Sequence, residues 1–246
     1  MLSGLITGVA AAGAAAGVFA YGARAPQSQL FGPAFCGTPG RGKQLALTYD
    51  DGPNDPWTQK LLDVLDTHGV KATFFLIGRY VELRPEIARA VAARGHVVGN
   101  HTWSHPDLVF TSKAALESEL KKTEAALTQA VGAHSKLFRP PFGARRPATL
   151  KTARSLGLEP VMWSVTCWDW SAKSPEAIVK KAARRIRGGD VILLHDGGNL
   201  SFGADRAHTV AATDELIRRY KGEGFEFVTV PEMQSSDVRR QTSGKP

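Results

Sequence analysis

The sequence is poor in cysteine, because only Cys36 and Cys167 occur among its 246 residues. It has no Cys-x-x-Cys pair, so the ligand count excludes a cysteine-based zinc site. The two thiols could form one disulfide, with two unrelated buried thiols as the alternative. Cys36 lies in an N-terminal segment, whereas Cys167 precedes Trp168-Asp169-Trp170 much later in the chain. We therefore predict that no essential disulfide joins them.

The sequence also lacks a block of charge of one sign. Its 31 Lys and Arg outweigh 23 Asp and Glu, which gives a formal net charge of +8, but the excess is spread along the chain. A nucleic-acid-binding protein more often shows a basic stripe with interleaved aromatic residues. We predict no nucleic-acid partner. The positive charge fits an anionic surface, such as a polymer of the cell envelope or lipid head groups.

Charge is absent from residues 2–22, which are rich in Ala and Gly. This length suits the roughly 20 residues that span a bilayer, and the basic start of a signal peptide is missing. Ala23-Arg24-Ala25 resembles a cleavage site, although Pro26 follows it at once. We predict an uncleaved membrane anchor over residues 1–22, with a cleaved signal or a low-complexity leader as alternatives. The Pro- and Gly-rich residues 23–43 are predicted to be a linker.

Short apolar runs alternate with helical patterns from residue 44 onward. This alternation predicts a parallel sheet with right-handed crossovers. About seven strands over roughly 200 residues suit a distorted (β/α) barrel preceded by the N-terminal hydrophobic helix, with an open doubly wound sheet as the alternative. We place this domain at 44–233 and a polar tail at 234–246. The predicted strands are 45–49, 72–77, 96–99, 137–139, 160–165, 191–194 and 225–230, and the predicted helices are 58–68, 85–94, 112–131, 147–156, 175–186 and 209–220.

Two adjacent acids, Asp50 and Asp51, end the first predicted strand before a Gly-Pro turn. Side chains alternate along a strand, so the two carboxylates are expected to point in different directions. One acid could then bind a cation while the other handles a proton. A solvated turn is the alternative, because Asp-Gly and Gly-Pro are common turn sequences.

Further polar residues follow other predicted strands, where α/β proteins form their sites. His101 and His105 come after the third strand, four residues apart. On a helical turn or in a tight loop they could share one face. Two imidazoles and one carboxylate form a common open zinc site. The pattern therefore predicts a metal centre made by these histidines and the acid pair.

Three more side chains complete this set. Arg139, at the head of Arg-Pro-Pro-Phe-Gly, could pair with a site carboxylate, or it could be a surface arginine on a structural turn. Asp169 lies between two tryptophans and needs a partner if it is buried. His195 ends a buried strand, where acid–base chemistry is plausible.

These motifs together resemble the polysaccharide deacetylases of the NodB-homology type, carbohydrate esterase family 4. TYDDGP, HTWSH, RPPFG, the Asp169-Trp170 pair and the Leu-Leu-His that ends at His195 match the motifs of this family in its order. The match extends from about residue 45 to 233. Tyr49 replaces the usual Phe, and Thr166 stands where many members have Asp.

The resemblance implies a role for each matching position. Asp50 would be the base, Arg139 would orient it, and His195 would be the acid that Asp169 tunes. The backbone N–H of Phe142 would hold the oxyanion. The metal ligands would be Asp51, His101 and His105, and the acetyl pocket would be lined by Trp170 and Leu193.

The family implies a hydrolase that removes N-acetyl groups from peptidoglycan or chitin-like N-acetylglucosamine. It would use one divalent metal, zinc first, with cobalt or nickel as alternatives. An O-acetyl esterase acting on xylan and a non-catalytic carbohydrate-binding module are the rival functions. We expect a monomer.

A polysaccharide substrate requires a membrane-anchored domain that faces the cell envelope, or a secreted one if the anchor is cleaved. The basic residues Arg24, Arg41 and Lys43 after the span favour the cytoplasmic side instead. We give the substrate more weight, because this basic bias is small.

Overall fold

The computed structural model describes the backbone of residues 2–243 and the side chains of residues 13–238. Seven parallel strands follow the order β5-β4-β3-β2-β1-β7-β6, and β8 pairs with the start of β1. The result is an α/β half-barrel, which matches the predicted number and direction of strands. The strands are β1 (Gln44–Gly52), β2 (Thr73–Leu76), β3 (Val97–Asn100), β4 (Leu137–Phe138), β5 (Glu159–Pro160), β6 (Val165–Thr166), β7 (Asp190–His195) and β8 (Glu226–Phe227).

Nine helices are described, and six of them coincide with the predicted helices to within a few residues. Helix α5 shows why its bounds are predictable, since the Ser112 hydroxyl accepts a hydrogen bond from the Ala115 N–H and Gly132 ends the helix with φ +73°. The helices are α1 (Leu2–Arg24), α2 (Trp57–Thr67), α3 (Gly78–Leu83), α4 (Pro85–Ala93), α5 (Lys113–Val131), α6 (Pro147–Ser155), α7 (Pro175–Ala183), α8 (Ala207–Gly222) and α9 (Val230–Ser243).

Strand alternation divides the apolar residues between two cores. Leu45 and Leu47 of β1 pack with Leu61 of α2 in the layer between sheet and helices. Ala46 and Val191 belong to a second cluster inside the half-barrel. Side chains on the same face of the strands as Ala46 and Val191 point into the half-barrel. Those near the carboxyl ends of the strands, such as Asp50, therefore lie where the site forms.

Several elements differ from the sequence prediction. The predicted strand 225–230 is reduced to Glu226–Phe227, and helix α9 begins at Val230. The predicted strand 160–165 is divided into β5 and β6, because the Met162 N–H bonds to the Phe35 carbonyl and the Ser164 N–H bonds to the Val191 carbonyl, so the chain changes neighbours within four residues. Helix α3 was not predicted. The predicted polar tail 234–246 is helical as far as Ser243, and residues 244–246 lie outside the described residues.

Residues 23–43, predicted as a linker, lie against the domain. The Phe35 N–H donates to the Pro160 carbonyl, and the Thr38 N–H donates to the Gly189 carbonyl. This segment therefore supplies hydrogen-bond partners beside β5 and β7, where the short strands leave backbone groups that need them. Cys36 within it is buried and unpaired, as is Cys167, so no disulfide joins the two.

The predicted anchor, residues 1–22, lies largely outside the residues whose side chains are described. Helix α1 covers Leu2–Arg24. Within the described part of the chain, no helix has the length and apolar character needed to cross a membrane.

Candidate active site

The predicted site residues meet at the carboxyl ends of the strands, around a cleft of about 350 Å³. Eight of the ten line the cleft, while Arg139 and Asp169 lie buried behind it. Three further residues, Trp163, Asn199 and Arg206, also line it, although no sequence motif points to them. The complete lining is Asp50, Asp51, His101, His105, Phe142, Trp163, Trp170, Leu193, His195, Asn199 and Arg206.

A β-bulge brings the two adjacent aspartates to the same site. The pairing of β1 with β2 shifts register between Asp50 and Gly52, and Asp51 has φ +72°. A bulge adds a residue to one strand and redirects its side chain. The expectation that the two carboxylates point in different directions is therefore wrong, because the bulge cancels the alternation at this residue.

Asp51, His101 and His105 form a compact group of potential metal ligands. One ligand atom from each residue lies within 4.8 Å of the others. The distance from Asp51 Oδ1 is 3.5 Å to His101 Nε2 and 3.1 Å to His105 Nε2. His101 Nδ1 donates to the Arg139 carbonyl at 2.8 Å, which leaves Nε2 with a free electron pair toward the group.

This group fits a divalent cation. Asp51 Oδ1 is buried and has no hydrogen-bond partner among the described residues. Burial alone would raise the pKa of the Asp51 carboxyl, but the imidazoles of His101 and His105 lower it below its usual range. Burial lowers the pKa of His105, against the opposing effect of Asp51. An ionised carboxylate and neutral imidazoles are the forms that bind metals.

Strained backbone collects around the cleft. Among the residues that the structure describes, five non-glycine residues adopt the left-handed conformation: Asp51, Thr102, His105, Phe142 and Trp168. Each such residue costs on the order of 1–3 kcal/mol and persists only where its surroundings fix it. Three are proposed ligands or cleft-lining residues, and the other two are sequence neighbours of His101 and Asp169. The strain indicates that the surrounding structure fixes the positions of the side chains around the cleft at a cost to the stability of the fold.

Arg139 holds one oxygen of Asp50. Its Nη1 donates to Asp50 Oδ1 and to the Thr48 hydroxyl, each at 2.7 Å, and its Nη2 donates to the Met162 carbonyl at 3.0 Å. The guanidinium is fully buried and lies 4.1 Å from the Phe75 ring centre. Burial lowers the pKa of Arg139, while Asp50 opposes that shift. Arg139 is therefore a site residue and not a surface arginine on a turn.

His195, which is half-buried, pairs with the buried Asp169 on the other wall. Asp169 Oδ1 lies 2.9 Å from His195 Nδ1, and Asp169 Oδ2 accepts from the His195 N–H and the Thr209 hydroxyl. Burial lowers the pKa of His195, but the Asp169 carboxylate outweighs it and raises the pKa to about 9. The imidazole is therefore charged at neutral pH, and its Nε2 is the nitrogen left for the cleft.

Aromatic rings form the rim of the cleft. Phe142 is 53% exposed and packs edge-on against His105, while Trp170 is 46% exposed and packs edge-on against His195. Leu193 is buried and lines the floor with Trp163. Trp163 lies in the predicted strand 160–165, which is interrupted between β5 and β6. The alternation of side chains along a continuous strand therefore does not predict its orientation.

Comparison with known proteins shows the family of this chain. The family model described as polysaccharide deacetylase matches residues 37–161. A peptidoglycan-N-acetylglucosamine deacetylase from Bacillus cereus is 39% identical over 200 residues, which cover 80% of this chain and 70% of that protein. A chitooligosaccharide deacetylase from Rhizobium leguminosarum bv. trifolii is 37% identical over 196 residues, covering 77% of this chain and 91% of that protein.

The solved structures show the same relationship. The crystal structure of a peptidoglycan N-acetylglucosamine deacetylase, in complex with 4-naphthalen-1-yl-N-oxidanyl-benzamide, superposes with a TM-score of 0.76 at 38% identity. The match covers 81% of this chain and 91% of that chain. The chain belongs to the polysaccharide deacetylase family of carbon–nitrogen hydrolases.

Proposed function

We propose that this protein is a metal-dependent N-deacetylase of polysaccharides that contain N-acetylglucosamine. The observation that carries the proposal is the arrangement of the cleft, in which the Asp51, His101 and His105 group shares the space with His195 and with an Asp50 held by Arg139. Amide hydrolysis requires a nucleophilic water, a base and an acid for the amine, and this cleft has a candidate for each.

Asp51, His101 and His105 would hold one divalent ion, with zinc as our first choice and cobalt or nickel as alternatives. A bound divalent ion lowers the pKa of a water toward about 7 and polarises a carbonyl. Among the described residues, these three form the group of buried His and Asp side chains that could hold such an ion.

Asp50 is the proposed base. Its Oδ1 accepts from Arg139, so its Oδ2 remains for the proton of the attacking water. Oδ2 lies 3.7 Å from His101 Nε2, which places it beside the proposed ligand group. The hydrogen bond from Arg139 fixes the orientation of the Asp50 carboxyl group.

His195 is the proposed acid. Asp169 fixes its Nδ1 and stabilises the imidazolium, so Nε2 carries a proton that it can donate to the leaving amine. We assign the backbone N–H of Phe142 to the tetrahedral oxyanion. Trp170 and Leu193, with Trp163, would enclose the acetyl methyl group.

The substrate assignment draws on the relatives, which are named for peptidoglycan N-acetylglucosamine and chitooligosaccharides. An acetate-release screen over peptidoglycan, chitin oligomers and acetylated xylan tests it. We expect release from at least one of the two N-acetylglucosamine polymers. Release from acetylated xylan alone would instead assign the protein as an O-acetyl esterase, and no release from any polymer would favour a non-catalytic binding module.

We also propose that the domain acts on the envelope side of a membrane, held there by residues 1–22. This rests on the uncharged run in the sequence and on the substrate class. Cell fractionation with external protease tests it. A full-length protein in the soluble cytosol, untouched by external protease, would contradict both the anchor and the envelope substrate.

A further inference from the structure

The two histidines of the proposed metal group sit on a loop, not on a helix. Residues 101–105 follow β3 directly, and both Thr102 and His105 have left-handed φ angles, +65° and +61°. A helix would align residues four apart by its own hydrogen bonds. Within this loop the His105 N–H donates to the Thr102 hydroxyl at 3.2 Å, and the Trp103 and Ser104 backbone between them is held by contacts from neighbouring elements.

One side chain of helix α5 accepts three hydrogen bonds from this loop. Glu119 Oε2 accepts from the Trp103 N–H at 2.9 Å and from the Ser104 N–H at 2.8 Å. Its Oε1 accepts from the Ser104 hydroxyl at 2.8 Å. Hydrogen bonds to an ionised acceptor are the stronger ones. Glu119 therefore binds the two residues that lie immediately before His105.

The opposite edge of the loop is held by helix α3. The Gly78 N–H donates to the Thr102 carbonyl at 2.9 Å, and the Arg79 N–H donates to the Trp103 carbonyl at 3.1 Å. The Trp103 and Ser104 N–H groups thus bond to α5, whereas the Thr102 and Trp103 carbonyls accept from α3. Within the described residues, Glu119 is the side chain that accepts hydrogen bonds from the Trp103 and Ser104 N–H groups. Its removal would leave the loop held by α3 but no longer by α5.

We propose that Glu119 is a positioning residue that sets the geometry of the metal-binding loop, without touching the metal or the substrate. This inference rests on the proposed metal-dependent function. Without the carboxylate, two N–H groups lose their partners, and the strained conformations of Thr102 and His105 are free to relax. The two imidazoles would then no longer converge on Asp51, and metal affinity would fall before the fold is lost.

The test is the zinc dissociation constant, measured by competition with a chromophoric chelator. Replacement of outer partners of metal ligands typically costs about 10–100-fold in affinity, and we expect that loss for Glu119→Ala. Glu119→Gln should recover most of it, because the amide oxygen can accept both N–H groups while its NH₂ donates to the Ser104 hydroxyl. Glu117→Ala is the matched control, since Glu117 lies on the same helix and pairs with Lys113. Its affinity should equal that of the parent protein.

Thermal unfolding of the metal-free variants separates positioning from a purely structural role. A structural role predicts a lower melting temperature for Glu119→Ala but unchanged zinc affinity in the folded protein. If this variant does not fold, Glu119→Asp serves, because its shorter side chain cannot reach all three donors.

The possible results distinguish this inference from the proposed function. A parent protein that binds no zinc, cobalt or nickel would refute the proposed function. The role of Glu119 would be refuted if the parent protein binds zinc and the zinc dissociation constant of Glu119→Ala or Glu119→Asp lies within twofold of the parent value. If Glu119→Gln binds zinc as weakly as Glu119→Ala, the hydrogen-bond explanation would be contradicted.

Discussion

Asp50 and Asp51 are adjacent in the sequence but are assigned different chemistry. The bulge and the left-handed φ of Asp51 direct its carboxylate to the imidazoles, while Asp50 stays on the regular parity of β1 and meets Arg139. The two assignments can be separated by experiment, because each carboxylate has its own set of contacts.

The variant Asp50→Asn should keep the metal and lose turnover. Its side chain has the same size, and the proposed ligands Asp51, His101 and His105 are untouched. Loss of a general base typically costs about 10²–10⁴-fold in rate. Acetate release and metal content measured on the same preparation check this expectation. Turnover near that of the parent protein would mean that another group activates the water.

The pH dependence of turnover should report His195. The pKa of its imidazole is raised to about 9, so the acid form predominates at neutral pH and is lost as pH rises. A bound divalent cation adds positive charge to the cleft, so the alkaline limb of kcat should lie at or below pH 9. Asp169→Asn should move this limb to lower pH, because it removes the charge that opposes burial. An unmoved limb would exclude His195 as the titrating acid.

A substrate with a better leaving group provides the companion test. His195→Ala should reduce the rate for an N-acetyl amide by about 10²–10⁴-fold and that for an activated acetyl ester by much less, because a good leaving group needs less protonation. Equal losses on both substrates would remove His195 from the role of acid.

At the scale of elements, the sequence predicted the regular helices and strands but not the irregularities within the strands. The caps of α5 are local signals, so its bounds could be read directly. The bulge at Asp51 adds one residue to β1, and the sequence pattern of the strand does not indicate its position. The break between β5 and β6 depends on Phe35, more than a hundred residues earlier, and no local pattern carries that information. Glu119 is an ordinary helix residue in sequence, so only the fold shows its contacts.

Residues 23–43 should contribute to the stability of the domain. The fully buried Arg145 donates to the carbonyls of Ala25 and Ser28, each at 2.7 Å, and to that of Gly143 at 2.9 Å. Arg145→Met leaves these acceptors unpaired, and we expect the free energy of unfolding to fall by roughly 2–4 kcal/mol. Urea denaturation measures it.

The matched control is Arg218→Met. Arg218 forms an exposed pair with Asp214 one helical turn away, so its loss should change the free energy of unfolding by less than about 0.5 kcal/mol. If Arg145→Met changes stability as little as this control, the segment is a linker after all.

At the scale of the whole molecule, most of the candidate site could be predicted because the fold is parallel. All carboxyl ends of parallel strands meet at one edge, so the sequence predicts that Asp50, His101, Arg139 and His195 lie together. It does not predict Trp163, Asn199 and Arg206, because they lie on connections whose course depends on tertiary contacts. A single sequence gives no rule for such connections.

Metal binding should stabilise the entire domain. The three proposed ligands come from two strand ends that meet only in the folded chain, so a metal bound there adds to the folding free energy by mass action. At a zinc concentration of 100 times the dissociation constant the gain is about 2.7 kcal/mol. The melting temperature of the metal-free protein should therefore rise on adding zinc, whereas that of His105→Ala should change far less. An equal rise in both would place the metal elsewhere.

The most direct test of metal-dependent deacetylation is a titration of acetate release. The protein is stripped with a chelator, and zinc is then added back stepwise in the presence of an N-acetylglucosamine polymer that the parent protein deacetylates. We predict that release vanishes in the stripped protein and returns in proportion to zinc, with saturation at one equivalent per chain, and that His105→Ala stays inactive throughout. Undiminished acetate release from the metal-free protein would contradict the account.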